Sequence, residues 1–122
     1  MPMIKCRVEP HKQVILTVTI DNAIAISSIA AYFRDKNQLP YQSQHTKKQK
    51  VFLVKPGVGH EVAGKKQPMR CLIVATPRDP SRPITVTCEL KGVLKPAYIP
   101  PQEADRVSEN MRVFDQDFWF NA

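Results

Sequence analysis

Residues 23–33 read AIAISSIAAYF, and the fold class depends on them. Four of these residues fall on one face of an α-helix: Ile26, Ile29, Ala30 and Phe33. A second set alternates along the same stretch as in a β-strand: Ile24, Ile26, Ser28, Ala30 and Tyr32. Asp21 lies just before the segment and can cap a helix N-terminus, which favours the helix. If these residues form a strand, the expected fold is an all-β sandwich.

Strand patterns lie on both sides of this segment. Val14 to Asp21 alternates strong β-formers with a period of two. Three shorter strands are predicted downstream: Val51–Lys55, Cys71–Thr76 and Ile84–Leu90. The proline-rich stretch 77–83 between the last two predicts a turn, because proline cannot join a central ladder.

The C-terminal residues carry the clearest helical pattern. Apolar residues recur there at intervals of three or four: Ala104, Val107, Met111, Phe114 and Phe118. Two prolines precede acids at Glu103 and Asp105, which suits a helix start. The pattern predicts a helix from about Gln102 to Phe118. Residues 95–101 are rich in proline and predict a stiff arm between this helix and the rest of the chain.

These patterns together predict an α+β fold. We expect a mostly antiparallel sheet, or a partly open barrel, of about five strands with a C-terminal amphipathic helix. The basic, β-rich core would comprise residues 1–95. Residues 96–122 would form the proline-led arm and the helix with its acidic and aromatic end.

Charge is distributed unevenly along the chain. The 122 residues carry 18 Lys and Arg against 11 Asp and Glu, a net charge of +7. Residues 1–101 hold 16 of these cations and 6 of the acids, whereas the last 21 residues hold 2 cations, 5 acids and 4 of the 9 aromatic residues. A basic body favours polyanionic partners, with nucleic acid first and anionic membrane surfaces second.

The cysteines and the N-terminus point to a cytoplasmic location. Cys6, Cys71 and Cys88 are odd in number and widely spaced, which predicts buried reduced thiols in strands. The N-terminus has no secretory apolar region, and no apolar run is long enough for a membrane span. No spacing typical of a metal site or a cofactor site occurs, so we expect no metal and no cofactor. Because no segment is long and apolar enough to span a membrane, we also expect no membrane partner.

One glycine-containing loop resembles a phosphate-binding motif. Residues 59–66, GHEVAGKK, match G-x-x-x-x-G-K-[ST] except at the last position, where Lys66 replaces the hydroxyl residue that holds magnesium. This mismatch excludes a nucleotide triphosphatase. The same loop can still contact nucleic-acid phosphates through its glycines and lysines.

We therefore expect a non-enzymatic protein that binds single-stranded DNA or RNA through its phosphates. The residues predicted to bind nucleic acid are Lys47, Lys48, Lys50, Lys65, Lys66, Arg70 and Tyr41. The C-terminal segment would recruit a protein partner through residues 102–122 or inhibit binding by folding back on the basic body. The residues predicted for that contact are Met111, Phe114, Phe118, Trp119 and Phe120.

The alternative is a structural or adaptor protein. It would assemble through its C-terminal helix and exposed β edges, and its basic charge would be incidental. No nucleophile or acid–base arrangement supports an enzyme, and homo-oligomer formation is left open by the sequence.

Overall fold

A computed structural model describes residues 3–34, 37–46 and 48–122. Within these ranges the chain forms eleven strands and one short helix, α1 (Gly59–Gly64). The strands are β1 (Ile4–Val8), β2 (Gln13–Asp21), β3 (Ala23–Phe33), β4 (Tyr41–Ser43), β5 (Gln49–Val58), β6 (Met69–Pro77), β7 (Thr85–Lys91), β8 (Val93–Lys95), β9 (Gln102–Glu103), β10 (Asp105–Ser108) and β11 (Met111–Asn121).

The described strands form two separate sheets. Sheet I has the order β3-β6-β11-β1-β8, with β10 beside the first three residues of β11, and sheet II has the order β4-β5-β2-β7-β9. Neighbouring strands are antiparallel apart from β1 and β11, which run parallel in the middle of sheet I. The first and last strands of the chain are therefore neighbours.

One hydrophobic core lies between the two sheets. Sheet II contributes alternate residues of β2, such as Leu16 and Ile20, and sheet I contributes Phe114 and Phe118 of β11; these four side chains are fully buried. The predicted strands at 14–21, 51–55, 71–76 and 84–90 are confirmed, within a residue at the ends, as parts of β2, β5, β6 and β7. Among the described residues, no helix is long and apolar enough to cross a membrane.

The α+β prediction is wrong. Among the described residues, strands hold 63% and helix 5%, and no helix reaches seven residues. Residues 23–33 form strand β3, which pairs with β6 along its length. Asp21 ends β2 instead of capping a helix. Asn22, with a left-handed φ of 68°, turns the chain from one sheet into the other.

Asn22 also holds the proline-rich turn in place. Its side-chain amide donates to the carbonyl oxygens of Asp79, Arg82 and Pro83 at 3.1, 3.1 and 3.2 Å. Its side-chain oxygen accepts the backbone N–H of Asp79 at 3.0 Å. A buried amide with these partners fixes the 78–83 loop over the end of the sandwich.

The predicted C-terminal amphipathic helix is also wrong. Residues 102–121 form β9, β10 and β11, and β11 lies between β6 and β1 in sheet I. Its inward side consists of alternate residues: Arg112, Phe114, Gln116, Phe118 and Phe120. The predicted boundary after residue 95 falls at the end of β8, and the proline-led segment beyond it buries Ile99 in the shared core.

Candidate nucleic-acid interface

The predicted basic loops lie at opposite ends of the sandwich. Lys50 is paired with Ile20 at one end of β5, and Val58 is paired with Gln13 at the other end. Eight residues of strand separate these ends by about 26 Å. Lys48 belongs to the first end, whereas Lys65 and Lys66 follow α1 at the second end. Lys47 lies outside the described residues.

The glycine loop already has backbone partners. The backbone N–H groups of Gly59 and His60, which open α1, donate to the carbonyl oxygens of Lys12 and Pro10, each at 2.9 Å. A Cβ on Gly59 would overlap the carbonyl oxygen of Glu9. The close backbone approach that glycine permits is thus used for packing within the chain, so these two N–H groups are not available to a phosphate.

Arg70 is engaged with groups on its own sheet. Its Nε and Nη2 donate to the two carboxylate oxygens of Asp115 at 2.9 and 2.6 Å, and its Nη1 donates to the Tyr32 hydroxyl at 3.2 Å. Hydrogen bonds from Arg70 lower the pKa of Asp115. The two-pronged ion pair compensates the charge of Arg70 on the outer face of sheet I.

Tyr41 lies on β4, the edge strand of sheet II, whereas Arg70 lies in sheet I. The Tyr41 ring stands edge-on to Phe52, with centroids 5.6 Å apart. Phe52 also contacts the His45 ring, at a centroid distance of 5.0 Å. Tyr41 remains 41% exposed, so part of its side chain is accessible from outside the protein.

A different group of cations does come together in sheet I. We call it the terminal cationic cluster; its members are three cationic residues, Lys5, Arg7 and Lys95, and the neighbouring Trp119. Arg7 is directly opposite Lys95 on β8, and Lys5 is directly opposite Trp119 on β11. The three cationic residues are exposed, and none forms an ion pair with a described residue. Opposed like charges on neighbouring strands destabilise a sheet, so this arrangement favours a bound anion.

Trp119 is the only tryptophan of the chain, and it is partly exposed on the same outward side as Lys5. Its indole N–H donates to the Asn121 side-chain oxygen at 2.8 Å. Asn121 is itself directly opposite Arg7. The indole ring is therefore held beside the cations instead of turning freely.

Acidic residues limit the cluster on one side. Asp115 and Asp117 point outward from β11, and the first is occupied by Arg70. Asp117 precedes Trp119 by two residues and is directly opposite Arg70. The positive surface thus extends from Trp119 toward β1 and β8, away from β6.

The predicted partner-binding residues are mostly in the core. Phe114, Phe118 and Phe120 are buried, whereas Met111 is 41% exposed and Trp119 is partly exposed. A strand alternates its two sides, so these five residues do not share one surface.

The cysteines are free and buried in β1, β6 and β7, as expected. Burial raises the pKa of Cys6 to about 12 and that of Cys71 to about 12, and it raises the pKa of Cys88 as well. Neutral, enclosed thiols are poor nucleophiles.

Comparisons with protein-family models, with curated proteins and with solved structures found no match for this chain. Functional conclusions therefore depend on the chain's own residues and their geometry.

Proposed function

We propose that this protein is a non-enzymatic nucleic-acid-binding protein whose contact surface is the terminal cationic cluster. The observation that carries the proposal is the direct opposition of Arg7 and Lys95, both exposed and without an acidic partner among the described residues. A phosphate lying between two such side chains accepts hydrogen bonds from both and removes their mutual repulsion.

Single-stranded nucleic acid is the favoured ligand. Lys5 and Arg7 project from the same side of β1, about 6.8 Å apart along the strand, and Lys95 lies across from them. Single-strand binders combine such a charged surface with an aromatic ring on which an unpaired base stacks. Trp119, next to Lys5, supplies that ring. A sheet surface with a stacking residue suits splayed bases better than a closed duplex.

The C-terminal segment has a different role in this proposal from the one predicted for it above. Because β11 is a central strand of sheet I, its release would open the core, so a detachable inhibitory tail is not part of the proposal. β11 instead supplies the stacking ring and an acidic limit at Asp117. A cytoplasmic location stays in the proposal, since three free thiols suit a reducing compartment.

The test is binding of a fluorescent single-stranded oligonucleotide by anisotropy at several salt concentrations. Quenching of Trp119 serves as a second signal, because no other tryptophan contributes. Two neutralised phosphates, one between Arg7 and Lys95 and one at Lys5, predict a log–log salt slope of about −1.4, at about −0.7 per phosphate. Arg7→Gln and Lys95→Gln should each weaken binding and make the slope shallower by at most about 0.7.

The matched control is Lys48→Gln with Lys50→Gln, which removes two exposed or partly exposed cations at the start of β5, in sheet II. This double variant should bind with nearly unchanged affinity and slope. A loss in this double variant as large as that of Arg7→Gln, or larger, would show binding to net charge alone and would refute the cluster as the site. Absence of binding by the wild-type chain at low salt would refute the function.

A further inference from the structure

Strand β3 forms the other margin of sheet I and has a free edge. It pairs with β6 on one side. On the other side, a loop covers its last five residues: the backbone N–H of Leu39 donates to the Ala31 carbonyl oxygen at 2.7 Å, and the Gln38 side chain donates to that of Ile29 at 3.0 Å. Residues 24–28 keep an uncovered edge among the described residues.

This margin also carries no charge. Residues 22–33 contain no Asp, Glu, Lys or Arg and are the longest such run in a chain of net charge +7. The other described edge strands are short: β4 and β8 have three residues each, β9 has two and β10 has four. The five uncovered residues of β3 therefore form the longest free edge among the described edge strands.

The sequence of this edge is palindromic. Residues 25–30 read AISSIA, which is identical in both directions. When two antiparallel copies pair about a twofold axis between Ser27 and Ser28, each side chain is directly opposite one of the same type. Such symmetry has no value for an unrelated strand, but it makes an isologous contact between two identical chains self-complementary.

A β-bulge in β3 makes pairing about that twofold axis possible. In a regular strand Ile26 and Ile29 would point to opposite faces, and a pairing that sets them opposite each other would be impossible. The register with β6 shifts between Ile26 and Ser28, so two residues occupy the space of one. As a result Ile26 and Ile29 both pack against the core, while Ser27 and Ser28 are both exposed. The bulge thus puts the residues that would pair across the axis on the same face.

We infer that two copies of this chain pair through antiparallel β3 strands, with Ile26 opposite Ile29 of the partner subunit and Ser27 opposite Ser28 of the partner subunit. The inference is independent of nucleic-acid binding. Since an axis perpendicular to the sheet preserves its faces, sheet I becomes one continuous sheet of two copies. Pairing over residues 25–30 displaces the exposed Gln38 side chain from the Ile29 carbonyl oxygen and stops before Ala31, whose carbonyl oxygen stays bonded to Leu39. Such a short pairing buries a small area, so the dimer is weak and depends on protein concentration.

The test is sedimentation velocity on the full chain from micromolar to millimolar concentration. The wild-type protein should shift from monomer to dimer, and Ser27→Lys should stay monomeric, because each copy would place a charge at the axis. Val107→Lys is the matched control. It adds the same charge at a 60% exposed residue of β10, distant from β3 in the strand order, and should dimerise like the wild type.

A mixture of two variants tests the register. The Ser27→Lys and Ser28→Asp chains each carry one added charge, and the inferred register places the new ammonium of one chain directly opposite the new carboxylate of the other. An equimolar mixture of these chains should form a heterodimer more strongly than a mixture of Ser27→Lys with Ser27→Asp. Equal heterodimer formation in both mixtures would overturn this register.

Two other results would overturn the dimer itself. One is a wild-type chain that stays monomeric at millimolar concentration. The other is a Ser27→Lys chain that dimerises normally while its circular dichroism spectrum remains native.

Discussion

The two margins of sheet I differ in almost every property that governs what a sheet edge can bind. At one margin, the edge strand β8 and its neighbour β1 are short and present Lys5, Arg7 and Lys95. At the other margin, β3 is long, bulged and without charge. Charged side chains on a short edge prevent another strand from adding, whereas an uncharged long edge permits it. One sheet thus separates a surface suited to anions from a surface suited to its own copy.

The separation has a geometric consequence. In the inferred dimer, β1 and its symmetry mate are seven strand spacings apart, about 34 Å at about 4.8 Å per spacing. Both cationic clusters then lie on the same face of the continuous sheet. A long single strand that reaches both clusters would bind more tightly than a short one, through effective concentration alone.

The largest predicted effect tests the strand that holds both margins together. Phe118 is fully buried in β11, between β6 and β1. Phe118→Ala should lower the free energy of unfolding by about 3–5 kcal/mol in urea titration. Met111→Ala, on the same strand but 41% exposed, is the control and should change it by at most about 0.5 kcal/mol. Similar small losses for both variants would contradict the central position of β11.

The reactivity of two buried thiols tests how readily the sheet opens near each margin. Cys6 lies in β1, next to the edge strand β8, and Cys71 lies in β6, next to the edge strand β3. With the pKa of each raised to about 12 by burial, the thiolate fraction at pH 8 is about a thousandfold below that of an exposed cysteine. Timed alkylation followed by peptide mass spectrometry should label Cys6 first, because β1 is the shorter strand. If Cys71 is labelled first, the sheet opens more readily near β3 than near β8, and this prediction is wrong.

Charge reversal at the cationic margin separates stability from binding. Lys95→Glu turns the opposed pair with Arg7 into an attractive one, which should raise the free energy of unfolding by about 0.2–1 kcal/mol. The same change should weaken oligonucleotide binding. Lys48→Glu is the control and should leave both nearly unchanged. A loss of stability in Lys95→Glu would mean that the two side chains are not in mutual repulsion.

The smallest effect concerns the ion pair between the margins. The folded pKa of Asp115 is lowered by Arg70, so its contribution is present above the unfolded pKa of about 3.9 and is lost as pH falls through the lower folded pKa. Both side chains are more than 40% exposed, so Asp115→Asn should cost less than about 1 kcal/mol at pH 7. Thermal unfolding should differ between variant and wild type at pH 7, and the difference should shrink as the pH falls below about 3.9. A constant difference over this pH range would exclude the ion pair as its cause.

The strands that could be predicted are those whose inward residues are all apolar. In β2, Val14, Leu16, Val18 and Ile20 are fully buried, and their alternation is visible without any structure. β11 has the same alternation, but two of its inward residues are Arg112 and Gln116. These polar residues interrupt the period of two in the sequence, and the apolar intervals of three and four predict a helix in its place.

Tertiary contacts explain why polar residues are tolerated there. The Arg112 guanidinium donates to the carbonyl oxygens of Ser108, Glu109, Met111 and Pro80. Gln116 receives a hydrogen bond from the Gln102 side chain at 3.2 Å and donates to the Asp117 carbonyl oxygen at 2.9 Å. Buried polar groups are tolerated when they have such hydrogen-bond partners, and most of these partners lie outside β11.

Composition and local period were enough to establish the charge of the chain, the burial of its cysteines and the strands with purely apolar inward sides. Which cations become neighbours depends instead on the long-range order of the strands. Lys5 and Trp119 come from opposite ends of the chain and meet only because β1 and β11 pair in parallel. The same order leaves β3 at a margin, and a local pattern records which side of a strand is buried but not which neighbour it pairs with.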